Sequence, residues 1–114
     1  SLTQAVFSVH KPADVLPVVN QYKDDKERHK QIMDLLESAV RDITLEQSGF
    51  GSIQDSGYAP QAEAYARQVP LCGGLALSQT ITKARMMMGS NVAFASAFET
   101  ILLKISEEYA KWPW

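Results

Sequence analysis

Between residues 32 and 43 the apolar side chains Ile32, Leu35, Leu36, Ala39, Val40 and Ile43 fall at i, i+3, i+4, i+7, i+8 and i+11, with Asp34, Glu37, Ser38, Arg41 and Asp42 between them. A period near 3.6 lays the first set along one stripe, so the spacing predicts an amphipathic helix. Upstream, Val15, Leu16, Val18, Val19 and Tyr22 partly share the period, provided that Pro17 occupies a first turn and Asp14 caps it. Between the two, the mixed charges of Lys23 to Lys30 read as a solvated helix face, and one continuous helix from Ala13 to Gln47 is the simplest expectation. Phe94, Phe98, Ile101, Leu102, Ile105 and Tyr109 predict a last helix, capped by Ser90 or Asn91, with Lys104 and Lys111 in the half where positive charge suits the helix dipole. Residues 2 to 9 suit a short helix or an extended arm equally.

The stretch Gln61 to Gly89 carries the densest apolar content, punctuated by Pro70, Gly73 and Gly74. It predicts a helix with the small-residue stripe Ala62, Tyr65, Ala66 and Val69, a Pro–Gly–Gly joint, and a second helix ended by Gly89 in the left-handed conformation. In that second helix Cys72, Leu75, Ala76, Leu77, Ile81, Ala84 and the run Met86 to Met88 cover more than half the circumference, the mark of a central, buried helix. Ser48 to Pro60 holds three of the six glycines and predicts one long Gly-rich loop, with Phe50 and Ile53 pinning it to the body. The expected fold is therefore all-α: a compact bundle of four to five helices, residues 1 to 114 forming one domain.

Composition narrows the class. Apolar residues make up 46% and charged residues 21% of the 114, which excludes a disordered or low-complexity chain. The net charge of −2 argues against a surface that grips nucleic acid everywhere, yet its distribution is uneven. Residues 1 to 57 hold six Lys and Arg against nine Asp and Glu, whereas residues 58 to 98 hold Arg67, Lys83 and Arg85 against Glu63 alone. No apolar run approaches the roughly 20 residues that span a bilayer, and the first residues lack a signal-peptide layout, so a cytoplasmic protein with no membrane contact is expected.

Chemistry-bearing residues are sparse. The single cysteine, Cys72, cannot form an internal disulfide; as a nucleophile it would need His10 or His29 as base, whereas a small buried hydrophobe is the commoner use of a lone cysteine in an apolar segment. Two histidines and one cysteine give no zinc-ligand spacing, and although Asp25 precedes His29 by four residues there is no second E-x-x-H pair for a carboxylate-bridged site, so no metal and no cofactor are expected. The neighbours Glu107 and Glu108 diverge by about 100° on a helix and read as solvated rather than as a hydrolytic pair. Met87, Met88, Trp112 and Trp114 are candidate partner-binding positions, because methionines adapt to varied partners and tryptophans anchor interfaces; the same residues can instead fill core.

Tyr65-Ala66-Arg67, Val69-Pro70-Leu71, Gly74-Leu75 and Gln79 followed by Ile81 resemble a pattern in the small helical subunit of type III CRISPR ribonucleoprotein effector complexes. The resemblance covers about 20 residues. It implies an all-helical, non-catalytic structural subunit that repeats beside other protein subunits and touches the guide–target backbone through basic positions, here Arg67, Lys83 and Arg85. Two alternatives stand beside it: a helical adaptor or assembly protein that binds protein only, copies of itself included, and a small hydrolase dependent on Cys72. Neither of the first two readings calls for a small-molecule substrate.

Overall fold

The computed structural model describes residues 1–53 and 57–113 and is all-α. Six α-helices follow in order: α1 Leu2–Phe7, α2 Val15–Tyr22, α3 His29–Gln47, α4 Pro60–Gln68, α5 Leu71–Gly89 and α6 Phe94–Lys111. Short 3₁₀ turns, Pro12–Asp14 and Lys26–Arg28, precede α2 and α3. The count exceeds the expected four to five because the undecided N-terminal segment is helical and because the anticipated helix from Ala13 to Gln47 is broken in two.

The break has a local cause. Residues 23 to 28 present only charged side chains, so nothing apolar holds a continuous helix against the core there. The chain turns instead, and His29 closes the turn: its Nε2–H donates to the Lys23 carbonyl at 3.0 Å while its ring stacks on Phe94 with centroids 3.7 Å apart. Pro17 does sit in the first turn of α2, but the Asp14 carboxylate accepts from the backbone N–H groups of His10 and Lys11 rather than from α2.

α5 runs antiparallel to both α3 and α6. Gly74 near its start lies against Thr44 and Gln47 at the end of α3, and Gly73 lies against Glu108 near the end of α6. At the far end of α5, Arg85 reaches Asp34 and Glu37 in the first half of α3. α4 packs on α1 and α3, and α2 packs on α6. The expected Pro–Gly–Gly joint is shorter than foreseen: Val69 and Pro70 are extended, and both glycines already belong to the first turn of α5.

The buried residues form one cluster, and α6 rather than α5 contributes most to it: Phe94, Ala97, Phe98, Ile101, Leu102, Ile105 and Tyr109 are all buried. α5 buries only Gly73, Gly74, Leu77, Ile81 and Ala84, so its apolar circumference does not make it the centre. Aromatic rings join the ends of the chain: Tyr65 packs on Phe7 and on Tyr109 at 5.3 and 5.2 Å, and the Tyr109 hydroxyl donates to the Phe7 carbonyl at 2.9 Å. Fully burying one such ring stabilises by about 1.5–3 kcal/mol, and the buried Leu2 and Val6 add to what Phe7 contributes in holding the short α1. In the 48–60 loop Ile53 is buried as expected, but Phe50 is 82% exposed and pins nothing. The loop residues 54 to 56 lie outside the described residues. After α5 the left-handed residue is Asn91, with φ of 72°, not Gly89, and α6 starts from Ala93 without a side-chain cap from Ser90 or Asn91.

Candidate functional site

The antiparallel pair α3 and α5 leaves an open groove of about 760 Å³ on its solvent side, lined by Asp34, Glu37, Ser38 and Arg41 from α3 and by Ser78, Thr82, Arg85 and Met86 from α5. Each wall is a helical stripe. On α5 the positions 71, 75, 78, 82 and 86 advance by three or four residues and therefore share one side of the helix. On α3 the positions 34, 38, 41 and 45 do the same, with 37 beside them.

The chemistry changes along the groove. At one end Arg85 bridges the helices, with Nη2 2.7 Å from Asp34 and Nη1 2.6 Å from Glu37. The Asp34 hydrogen bond above all, with the Glu37 hydrogen bond and the charge of both, holds the guanidinium above its ordinary value, while partial burial acts the other way. In the middle, Ser38 accepts from the Tyr58 hydroxyl at 3.1 Å, and the Thr82 hydroxyl donates back to the Ser78 carbonyl at 3.2 Å. Arg41 is exposed and makes no ion pair among the described residues. Beyond the groove's lining, toward the other end, Leu45 on α3 and Leu71 and Leu75 on α5 are exposed, 44%, 37% and 49% accessible. Met86, 69% accessible, edges the charged end. The Ser38 and Thr82 hydroxyls are thus engaged, one with Tyr58 and the other with backbone.

The positions singled out from the sequence scatter. Arg67 is exposed on α4 and paired with Glu63 four residues earlier. Lys83 is exposed and without an ion pair among the described residues, but two residues from Arg85 on a helix means roughly 160° away around the axis, so the two point to opposite sides of α5. Arg85 itself is occupied by two carboxylates. Met87 is 39% exposed, and Met88 packs against the core. Trp112 is half-buried against the core, its carbonyl accepting from Gln68 Nε2 at 2.8 Å, and Trp114 lies outside the described residues.

Two further expectations are corrected. Cys72 is exposed at the start of α5, not buried, because its position faces away from both α3 and α6. Its potential partners are engaged elsewhere, His10 stacked on Tyr109 at 4.1 Å and His29 on Phe94. Glu108 is buried, 2% exposed, instead of solvated; Lys111 and Lys104 approach its Oε2 at 3.3 and 3.5 Å. Beside it Tyr65 is buried with its hydroxyl unpartnered, and burial first, then the Glu108 charge and Tyr109, drive the phenol well above its ordinary value. Among the described residues no three His, Cys, Asp or Glu side chains gather to hold a metal ion, and no helix is long and apolar enough to cross a membrane.

The groove residues escaped the sequence reading because each is ordinary alone. The available signal was the excess of apolar positions on α5: one face buries Leu77, Ile81 and Ala84, so Leu71, Leu75 and Met86, on the other side, need a different neighbour. No protein-family model, no curated protein and no solved structure matches the chain.

Proposed function

We propose that the chain is a non-catalytic helical interaction subunit that docks protein through the α3/α5 groove. The observation that carries this reading is an open groove between α3 and α5 edged by exposed Met86, on two helices that also leave Leu45, Leu71 and Leu75 exposed. Contiguous exposed apolar side chains rimmed by polar ones characterise interaction surfaces, whereas scattered ones such as Leu16 on α2 are usual on any protein. A photo-crosslinking amino acid at position 75 tests it in cells of the natural source, with the same group at position 16 as control. The expected result is a defined protein adduct, identified by mass spectrometry and reconstituted from purified components, at position 75 only. Equal adducts at both positions, or none, would sink the reading.

The narrower reading, a subunit of a CRISPR effector lying along a guide–target backbone, draws on the exposed cations Arg67 and Lys83. It predicts nucleic-acid binding that weakens steeply with salt and falls further in the Arg67→Ala, Lys83→Ala double variant; an absence of binding at low salt would end it.

A further inference from the structure

We infer that the end of α6 is a detachable strap: Lys111, Trp112 and Pro113 close over the body beside the end of α4 and lift off it as a unit while the helices stay packed. The inference does not depend on the docking role of the α3/α5 groove.

Few contacts hold the strap. The Trp112 N–H closes α6 by donating to the Glu108 carbonyl at 3.3 Å, a long bond, and the backbone leaves the helix at that residue, with φ of −127° and ψ of 70°. Gln68, the last residue of α4, donates through Nε2 to the Trp112 carbonyl at 2.8 Å, the short tie between strap and body. Lys111 stands 3.6 Å from Glu107 and 3.3 Å from Glu108, but its side chain is 51% exposed, so water and salt screen both pairs.

Docking also strands a donor. Trp112 gains by packing its half-buried ring on the core, yet its Nε1–H is buried with no acceptor among the described residues. Burying an unpaired donor offsets much of what the ring gains, and lifting the strap returns that N–H to water. The surroundings share the defect. The Tyr65 hydroxyl, three residues before Gln68, and Gln47 Oε1, whose amide nitrogen binds the neighbouring Val69 carbonyl, are likewise buried without partners. A partly satisfied polar cluster is the place where a fold opens first. One turn earlier α6 is secured differently, because Tyr109 is buried and its hydroxyl is bonded to the Phe7 carbonyl.

The two positions of the strap differ in what they offer. Docked, Trp112 fills a seat on its own chain. Lifted, it is an aromatic side chain of the kind that anchors interfaces, carried on a short arm beside Lys111. The strap therefore withholds or presents an anchor without any change in the helical body.

The chain's two tryptophans are 112 and 114, so in Trp114→Phe the intrinsic fluorescence reports Trp112 alone. A urea titration of that variant, followed by fluorescence and by far-ultraviolet circular dichroism on the same samples, is the test. Trp112 emission should shift to the red at urea concentrations that leave the helical signal unchanged. Adding Gln68→Ala, which cuts the tie, should lower the fluorescence midpoint further and leave the circular dichroism midpoint in place. Coincident transitions in Trp114→Phe, or a Gln68→Ala substitution that moves both midpoints together, overturn the inference. Hydrogen exchange in the unaltered chain guards against a variant that fails to fold: the buried Trp112 indole N–H should exchange at least about tenfold faster than the amides of Ile101, Leu102 and Ile105. Equal protection of the indole and those amides overturns the strap.

Discussion

Tyr65 and Tyr109 share an aromatic cluster yet differ in what their hydroxyls do. Tyr109 donates to the Phe7 carbonyl, whereas the Tyr65 hydroxyl is buried without a partner. Removing a satisfied hydroxyl strands its acceptor, and removing an unsatisfied one relieves a desolvation penalty. Tyr109→Phe should therefore lose about 1 kcal/mol, and Tyr65→Phe should be neutral or gain up to about 1 kcal/mol, as read from urea denaturation. Both phenols are raised above their ordinary value, Tyr65 by burial and then by Glu108, Tyr109 by burial. A raised folded value means that the native state holds these protons more tightly, so their contribution is whole below the unfolded value of about pH 10 and is lost as pH climbs above it. Denaturation midpoints should fall above about pH 10, and less steeply in Tyr65→Phe, which removes one of the two groups. The burial of Tyr65 was legible from its i, i+4 place between Ala62, Ala66 and Val69. That of Glu108 was legible too, seven residues after Ile101 and three after Ile105, but its charge outweighed its position in the reading. Lys104 and Lys111, four residues before it and three after it on the same helix, offset its charge.

At the level of the helix, Gly73 and Gly74 are the informative pair. Intrinsic propensity says that Gly→Ala in a helix gains about 1 kcal/mol. Here a Cβ on Gly73 would strike Val69 and the buried Glu108 carboxylate, and one on Gly74 would strike Gln47. Gln47 cannot simply swing away, because its Nε2 donates to the Val69 carbonyl at 2.6 Å just beyond the end of α4. Packing wins over propensity: Gly73→Ala and Gly74→Ala should each destabilise by roughly 1–3 kcal/mol, and a rise in melting temperature for either would refute the close approach of the three helices. Sequence periodicity located α4, α5 and α6 well, since local spacing alone decides which residues share a face. It misplaced the joint, because a glycine pair after proline looks the same whether it breaks the chain or lets a neighbour come close.

Across the whole molecule, the Arg85 bridge is the polar link between α3 and α5. Asp34 and Glu37 are more than half exposed, 54% and 57%, and Arg85 is 29% exposed, so solvent screens the pairs. Arg85→Ala should cost no more than about 1 kcal/mol at low salt, and less at high salt; a larger or salt-independent loss would mean that the bridge is a core element. The sequence by itself determined that the chain is helical, most of the residues of α3, α4 and α6 that face inward, and that one long Gly-rich segment separates α3 from α4, because each of these follows from spacing within a dozen residues; Leu35, expected on the inward stripe of α3, is instead 37% exposed at its edge. Only the tertiary structure decided that α6 and not α5 is central, that Arg85 is already paired with two carboxylates of α3, and that Leu45, Leu71, Leu75 and Met86 stay exposed. Those outcomes depend on which helices meet and in what register, a quantity set by contacts between residues dozens apart that no local pattern contains.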